Sequence, residues 1–189
     1  MTENLTIDEL ENKLQTCAYA TEDRVAILVQ LVAVYLNTDL EKSKILIDEA
    51  EEISLQLNYH EGIGLSCHQR GVYYFLSNDF ENALIHYLNA DTILSKSIDW
   101  RNKIKPKANI AMVYMHTHQY NEALRIYKEI EEEIQPVPVD LTHAQMYINI
   151  DAAYCYLNDP ENGIIYSKKA LEISQQLNSR YGIALSESN

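Results

Sequence analysis

Two histidines near the middle of the 189-residue chain, His116 and His118, could do chemistry as metal ligands. Imidazole and thiolate groups bind Zn²⁺, and His143 and Cys155 could complete such a site. Two ligands on one helix face lie three or four positions apart, however, whereas these two histidines lie two apart. We therefore predict neither a metal nor another cofactor, and we assign His116 and His118 to a turn and a groove.

An acidic run is the second group with chemical potential, and it contains Glu129, Glu131, Glu132 and Glu133. Paired carboxylates can serve as general acid and base or can bind a cation. At the end of an exposed helix, such a run is more often a solvated face. The sequence also has no glycine-rich phosphate-binding, zinc-protease or nucleophile-elbow string. We predict that this chain is not an enzyme, and catalysis by the His and Glu clusters is only a third hypothesis.

The composition indicates a helical protein and excludes several classes of partner. The chain has 28 acidic and 15 basic residues and a net charge of −13, so we expect no nucleic-acid partner, because phosphates require a basic surface. Only 5 Gly and 4 Pro argue against a turn-rich β fold. The longest uncharged stretch, residues 25–38, is too short to span a bilayer. No basic n-region of a secretory signal opens the chain. We expect a cytoplasmic protein that does not contact a membrane.

The sequence contains an internal repeat of 40 residues, and this repeat predicts which helices carry the histidines and glutamates discussed above. Residues 57–66, LNYHEGIGLS, recur three periods later as residues 177–186, LNSRYGIALS. Tyr74, Ala83 and Tyr87 of the second unit reappear one period later as Tyr114, Ala123 and Tyr127, and Tyr154 continues the first of these series. We predict a capping helix within residues 1–20 and a repeat domain over residues 21–189, with units at about 25–64, 65–104, 105–144 and 145–184 and a truncated fifth unit.

Each unit divides into two amphipathic helices joined by a turn. In the second unit, the pattern predicts a first helix over about His60–Leu76 and a second helix capped by Asp79. In the fourth unit, Asp159 followed by Pro160 predicts the same turn. Small residues would let paired helices approach closely and tyrosines would fill the spaces, so we expect the following side chains to be buried: Tyr74, Ala83, Tyr87, Tyr114, Ala123, Tyr127 and Tyr154. Gly71, Ala111, Ala153 and Gly163 are the other small residues of this pattern.

This pattern resembles the tetratricopeptide repeat (TPR). That repeat carries a small and an aromatic residue on its first helix, an acidic or Asn turn, and an aromatic residue and an alanine on its second helix. The 40-residue units, with the connector EISLQLNYHEGIG echoed by EISQQLNSRYGIA, are similar to the long-repeat type seen in bacterial signalling proteins. The resemblance implies an all-α fold, a TPR-like right-handed α-α superhelix built as a solenoid of helix pairs. The sequence departs from the pattern at Leu31 and Val34, and Pro106 falls inside a predicted helix.

In such a superhelix, successive first helices line a concave groove, so the predicted function is protein–protein interaction, with a peptide or a partner domain bound in the groove. The repeat frame places eleven residues in this groove: His68, Gln69, Val72, Phe75, Lys105, Asn109, Met112, His116, Asn149, Ala152 and Tyr156. Asparagines recur at Asn109, Asn149 and Asn189, and their amides could bond a peptide backbone. They could equally tie neighbouring helices together. Met112 and Phe75 could form an apolar floor or belong to the core.

TPR clamps that hold a chain terminus place a lysine four residues before the asparagine, and Lys105 with Asn109 matches that pair. The next unit offers Leu185 and Asn189 where the clamp would need basic residues, so the clamp is incomplete. The resemblance therefore implies a peptide or protein partner without identifying it.

Residues 181–189 begin another first helix without its partner helix. We expect the chain to be the N-terminal sensory or scaffold region of a larger bacterial signalling protein. By resemblance, a C-terminal effector could be a diguanylate cyclase, a nucleotide cyclase, a histidine kinase or a DNA-binding regulator. The alternative hypothesis is structural self-association, with a homo-oligomer formed through the apolar C-terminal edge at Tyr181, Ile183 and Leu185.

Overall fold

The computed structural model describes residues 5–177 of the chain. This part folds into nine α-helices and contains no strand, which confirms the predicted all-α class. The helices are α1 (Ile7–Thr16), α2 (Glu22–Tyr35), α3 (Leu40–Gln56), α4 (His60–Leu76), α5 (Phe80–Leu94), α6 (Trp100–His116), α7 (Tyr120–Ile134), α8 (Leu141–Tyr156) and α9 (Pro160–Gln176). The predicted truncated fifth unit, Asn189 and the apolar edge at Tyr181, Ile183 and Leu185 lie outside the described residues.

From α2 onward, the helices follow one another as first and second helices of four successive pairs. The first helices are α2, α4, α6 and α8, and the second helices are α3, α5, α7 and α9. The predicted bounds of α4 are confirmed, and each pair begins three to five residues before the predicted start of its unit. The chain divides into two compact units, unit 1 (Met1–Pro106) and unit 2 (Lys107–Asn189).

Four of the turns, those after α3, α4, α6 and α8, share one arrangement. Asn58, Asn78, His118 and Asn158 have positive φ angles of 52° to 60°, a conformation that asparagine tolerates better than most residues. The residue after each of them donates its backbone N–H to a carbonyl five residues earlier, as Asp79 does to Tyr74 at 2.9 Å. Asp79 and Asp159 then cap the next helix by accepting the N–H of Asn82 and Asn162, which confirms the predicted caps.

Tyrosines and small residues fill the joints between paired helices, but not all of them as predicted. Ala83, Tyr87, Ala123 and Tyr127 are fully buried. Tyr74, Tyr114 and Tyr154 are only partly buried, so the prediction of burial is wrong for these three. Tyr74 stacks on His86 with a ring-centroid distance of 5.3 Å, and Tyr154 lies 5.8 Å from Tyr166. These rings pack by one face on a neighbouring ring and keep their other parts near solvent, as tyrosine commonly does.

Gly71 is the small residue that lets α4 approach α5. A Cβ atom placed on Gly71 would lie 2.5 Å from Cδ1 of Tyr87, well inside van der Waals contact. The Tyr87 ring is 1% exposed and lies 5.7 Å from the His68 ring. The absence of a side chain at position 71 is therefore what makes room for the largest side chain of this joint.

The capping helix α1 packs on the rest of unit 1 through the buried side chain of Leu10 and through polar contacts. Arg24 donates from Nη1 to the Leu14 carbonyl at 2.9 Å and from Nε to Glu49 Oε1 at 2.7 Å. On the other side of α1, Glu11 Oε1 accepts hydrogen bonds from Tyr35 OH at 2.6 Å and from Lys42. These bonds lower the pKa of Glu11, with the bond from Lys42 having the larger effect.

Arg24 should control how tightly α1 is held, because a ten-residue helix is marginal without tertiary contacts. We expect Arg24→Ala to speed hydrogen exchange of the α1 amides about tenfold, since charged hydrogen bonds contribute about 1.5–3 kcal/mol. The exposed Lys44, which pairs only with Asp48 at 3.4 Å, provides the control variant Lys44→Ala. Equal exchange rates in both variants would show that Arg24 does not hold α1 and that Leu10 and the bonds of Glu11 anchor it.

In unit 2, α7 and α9 are joined by a cluster of charged and aromatic side chains. Glu131 accepts hydrogen bonds from Lys169 and from Tyr166 OH, each at 3.1 Å. The Lys128 and Lys169 ammonium groups lie 4.0 and 4.4 Å from the centroid of the Tyr166 ring. The cluster therefore combines an ion pair with two cation–π contacts, which stabilise the packing of successive second helices.

The prolines of two segments differ in their effect on the helices: one lies inside a helix, and the others lie between two helices. Pro106 lies inside α6, which runs through it from Trp100 to His116, so the proline does not end the predicted helix. The segment with Pro136 and Pro138 separates α7 from α8, as predicted, and Asp140 caps α8 in a capping box with His143. The division into compact units falls at Pro106 rather than at this linker.

Candidate functional site

The first helices α2 and α8 have exposed faces that carry almost no charge. In α8, Leu141, Gln145, Cys155 and Tyr156 are exposed, and Asn149 and Ala152 are partly exposed between them. Beyond its first turn, α2 likewise exposes only uncharged side chains, although the net charge of the chain is −13. Exposed faces without charge in so acidic a chain are candidates for binding surfaces. A cleft lies on these faces in each unit.

In unit 1, the α2–α4 cleft has a volume of about 270 Å³. Its walls come from the C-terminal half of α2, from α4 and from the start of α6, and its lining is Val29, Ala33, Leu36, Asn37, Leu65, His68, Gln69, Val72 and Lys105. A larger hollow of about 570 Å³ shares Val29, Ala33, Leu65 and Lys105 with it and extends toward α1. Unit 1 thus carries one extended depression, and its larger part is lined by Asp99 as well as by Lys105.

The α2–α4 cleft contains three polar side chains in α4 and α6, and each has a different environment. His68 is buried, which lowers its pKa to about 4, and the positive charge of Lys105 acts in the same direction. His68 is therefore neutral at pH 7. Gln69 donates from its side-chain amide to the Val29 carbonyl at 3.4 Å and so ties α4 to α2. Lys105 is exposed and forms no ion pair with the described residues.

In unit 2, the α6–α8 cleft has a volume of about 300 Å³. It is lined by Met112, Met115, His116, His118, Tyr120, Tyr127, Asn149, Ala152 and Tyr156, none of which is an acid, a lysine or an arginine. Two methionines give an apolar lining that can adapt its shape. The volume is at the lower end of the range for small-molecule sites, and it suits one or two protein side chains.

A pair of tyrosines forms one rim of the α6–α8 cleft. The rings of Tyr120 and Tyr156 stack at a centroid distance of 4.7 Å with an interplanar angle of 5°. His118 holds Tyr120 through a contact of 2.6 Å between Nδ1 and the tyrosine OH. In the same cleft, the side-chain oxygen of Asn149 accepts a hydrogen bond from the Gln145 amide at 3.3 Å. One rim of the α6–α8 cleft is thus formed by stacked aromatic rings.

The structure divides the eleven predicted groove residues between the two clefts. His68, Gln69, Val72 and Lys105 line the α2–α4 cleft, and Met112, His116, Asn149, Ala152 and Tyr156 line the α6–α8 cleft. Phe75 and Asn109 line neither of them. Phe75 packs against Phe80 at 5.5 Å, and Asn109 is partly buried and has contacts of its own.

Several cleft residues escaped the sequence analysis. Val29 holds the position in α2 that Gln69 holds in α4, so the 40-residue frame could have identified it. His118 and Tyr120 lie in and after the turn that follows α6, where no first-helix pattern points to them. Met115 was missed because the repeat frame assigned only Met112 to the groove in that turn of α6.

The residues first considered for metal or acid–base chemistry have structural partners. Within residues 5–177, no group of three or more His, Cys, Asp and Glu side chains could hold a metal ion. In the acidic run, Glu129 pairs with Arg125 at 2.5 Å, Glu131 belongs to the cluster with Tyr166, and Glu133 pairs with Lys107. These carboxylates therefore neutralise cations on the second helices and on α6.

Solved structures of similar fold identify the architecture. The signal transduction ATPase (STAND) protein with a tetratricopeptide repeat sensor from Pyrococcus horikoshii matches with a TM-score of 0.77 and 17% identity over 95% of this chain. BtubC (BKLC) from P. vanneervenii matches with a TM-score of 0.70 and 17% identity, covering 91% of this chain and 73% of that one. TPR-like repeats of a putative kinesin light chain from Podosopora anserina match at 0.65 and 14%, covering 91% and 86%.

The chain has the fold of the tetratricopeptide repeat, so the resemblance based on its residues and the predicted TPR-like superhelix are confirmed. It spans 28% of the length of the Pyrococcus horikoshii protein. No protein-family model and no curated protein sequence matches the chain. Among the described helices, none has the length and apolar content needed to cross a membrane.

Proposed function

We propose that this chain is a protein-interaction module that binds a segment of a partner protein in the clefts of its first helices. The observation that carries this proposal is the pair of clefts, one in each unit, on helix faces that carry almost no charge. Nine of the eleven residues that the repeat frame assigned to the groove line these clefts. A peptide would gain both apolar burial and amide hydrogen bonds there.

The two clefts, each within its own unit, favour different kinds of side chain. The α6–α8 cleft, with its methionines and stacked tyrosines, suits an uncharged apolar side chain, because a carboxylate there would lose water without gaining a cation. Lys105 gives the α2–α4 cleft an unpaired positive charge, which would attract an acidic side chain or chain terminus. Sequence preference would come from Met112 and Tyr156, and Asn149 would bond the peptide backbone.

A role in the cytoplasmic part of a bacterial signalling protein is part of this proposal. One similar structure is that of a signal transduction ATPase with a TPR sensor, which supports a sensory or scaffold role. The effector that such a region would control could be a diguanylate cyclase, a nucleotide cyclase, a histidine kinase or a DNA-binding regulator. The proposal extends to the partner class only, a protein or peptide.

Site-specific photo-crosslinking can locate the partner on the surface. A photoreactive phenylalanine analogue placed at Ala152 would lie in the α6–α8 cleft, and the same group at the exposed Asn121 of α7 provides the control. We expect a partner that crosslinks from position 152 and not from position 121. The crosslinked peptide then supplies the ligand for affinity measurements with the full chain.

With this peptide, we expect Asn149→Ala to weaken binding by about 0.5–1.5 kcal/mol, the range for a neutral hydrogen bond. Tyr156→Ala should weaken it at least as much, because it also removes a wall of the cleft. Asn109→Ala is the matched control, since Asn109 lies one repeat earlier and lines neither cleft. Isothermal titration calorimetry gives the affinities and a thermal melt the stability. If Asn149→Ala lowered the melting temperature and left affinity unchanged, the asparagine would only tie helices together.

A further inference from the structure

The α6–α8 cleft is bordered by four side chains that carry sulfur or imidazole donors. Met115 and His116 lie three and four residues after Met112, so these three share one face of α6, and all three line the cleft. Residues at this spacing on a helix have Cβ atoms about 5–6 Å apart. His118, in the turn after α6, lines the same cleft. Two thioethers and two imidazoles therefore border one small volume of unit 2.

The position of His118 removes the objection that its distance from His116 in the sequence raises. A separation of two residues counts against a metal only where both histidines lie on one helix. His118 lies beyond the end of α6 and has a φ angle of 60°, so the spacing within a helix does not restrict it. With Nδ1–H donating to the Tyr120 hydroxyl oxygen, 2.6 Å away, the lone pair of Nε2 remains for a metal. Metal-binding histidines are commonly oriented by such a bond from their other ring nitrogen.

We propose that the α6–α8 cleft binds Cu(I) through the thioethers of Met112 and Met115 and the imidazoles of His116 and His118. Thioether sulfur is a soft ligand that selects Cu(I), and imidazole also binds copper. Zn²⁺ prefers thiolate, imidazole and carboxylate ligands, and Ca²⁺ and Mg²⁺ prefer oxygen ligands. None of the described residues that line the cleft carries a carboxylate or a thiol. The donor set therefore fits a soft monovalent cation better than it fits these divalent ions.

The surroundings of this donor set also suit a cation. The two methionines are partly buried and the two histidines are exposed, so the thioethers would bind the ion from within the cleft and the imidazoles from its mouth. The chain has a net charge of −13, which raises the concentration of cations near its surface. Cys155 of α8 is not part of the set, because it does not line the cleft and its thiol contacts Asp151 at 3.6 Å.

Methyl NMR of the full chain, labelled with carbon-13 at the methionine methyl groups, tests the proposal. Cu(I) is added without oxygen and in excess over the three cysteines, which can also bind it. We expect the methyl resonances of Met112 and Met115 to shift, whereas that of Met146, which is buried in α8, should stay in place. Zn²⁺ should leave all three resonances unchanged, because thioethers are not zinc ligands. Unchanged resonances with Cu(I), or equal shifts at Met146 or with Zn²⁺, would overturn the proposal.

Competition with a Cu(I) chelator gives the affinity, in a chain whose three cysteines are replaced by alanine. Met115→Leu and His116→Asn should each weaken Cu(I) binding at least about tenfold, because residues that only orient a ligand already change metal affinity by about that factor. Met146→Leu is the matched control and should leave the affinity unchanged. Leucine replaces methionine at small cost in a folded chain, and circular dichroism would check each variant. Equal Cu(I) affinity in Met115→Leu and Met146→Leu would contradict the proposal.

The Cu(I) proposal does not rest on peptide binding, although both use the α6–α8 cleft. Met115→Leu keeps an apolar side chain in the cleft, so Cu(I) affinity should fall while affinity for the crosslinked peptide changes little. Asn149 is not a proposed ligand, so Asn149→Ala should weaken peptide binding and leave Cu(I) affinity unchanged. If Met115→Leu weakened only the peptide, the methionines would serve as the apolar lining alone and the Cu(I) proposal would fail.

Discussion

Replacement of Gly71 by leucine is expected to lower the free energy of unfolding by about 3 kcal/mol, at the upper end of the range for overpacked cores. The side chain would have to occupy space now filled by the Tyr87 ring, since even a Cβ atom would come within 2.5 Å of it. Tyr87 cannot swing out, because it is 1% exposed and lies against His68 on another side. Urea unfolding followed by circular dichroism measures the change.

The first helix pair supplies the compensating substitution. Leu31 and Ile47 hold the positions in α2 and α3 that Gly71 and Tyr87 hold in α4 and α5, and both are buried in the core. The double variant Gly71→Leu/Tyr87→Ile should therefore be at least about 1 kcal/mol more stable than the sum of the two single losses in the free energy of unfolding predicts. A coupling energy of this size is typical of residues in contact. Additive effects of the two substitutions would show that the contact with Tyr87 is not the source of the destabilisation.

Asp151→Ala is expected to raise the free energy of unfolding by about 2 kcal/mol, although most buried substitutions lower it. The Asp151 carboxylate is 3% exposed, and its Oδ2 atom has no hydrogen-bond partner among the described residues. Oδ1 accepts only the weak bond from the Cys155 thiol at 3.6 Å. Alanine already occupies the equivalent position one repeat earlier, where Ala111 is fully buried. Thermal and urea unfolding at pH 7 measure the change.

Gly163 connects this prediction to the packing of α8 on α9. A Cβ atom on Gly163 would lie 2.7 Å from Oδ1 of Asp151, so Gly163→Ala should destabilise the wild-type chain. In the Asp151→Ala background the same change should be neutral or stabilising, because alanine favours a helix over glycine by about 1 kcal/mol. The proposed steric conflict between a side chain at position 163 and the Asp151 carboxylate would be refuted by either of two results. In the first, Gly163→Ala changes the free energy of unfolding equally in both backgrounds; in the second, Asp151→Ala alone reduces stability.

The sequence was sufficient for the features that depend on local patterns. The bounds of α4, the caps at Asp79 and Asp159 and the break at Pro136 follow from helix periodicity and turn chemistry, which involve neighbours in the chain. Burial of Tyr74 could not be predicted in this way, because it depends on the sizes of side chains brought from other helices. The buried carboxylate of Asp151 was missed for the same reason. The frame offered Ala153 as the small residue, but Asp151 is the true equivalent of Gly71 and Ala111.

The groove was predictable as a face of the helices but not as separate clefts. Lys105 and Asn109 are one helical turn apart, yet Lys105 lines the α2–α4 cleft and Asn109 lines neither cleft. The 40-residue repeat predicts on which face of its helix a side chain lies. It does not predict which turn borders the cleft. Tyr120, which forms the rim with Tyr156, directly follows such a turn as the first residue of α7.

The core of the first helix pair also determines when the protein can begin to fold. Its buried residues lie between Leu10 and Ile53, and the partly buried side chains packed against them extend only to Tyr73. Every one of these contacts is made within the first half of the chain, between helices that are near neighbours in sequence. Short sequence separations make folding fast, and domains fold from the N-terminus as synthesis proceeds. All residues of the core of the first helix pair are therefore synthesised before translation reaches α6.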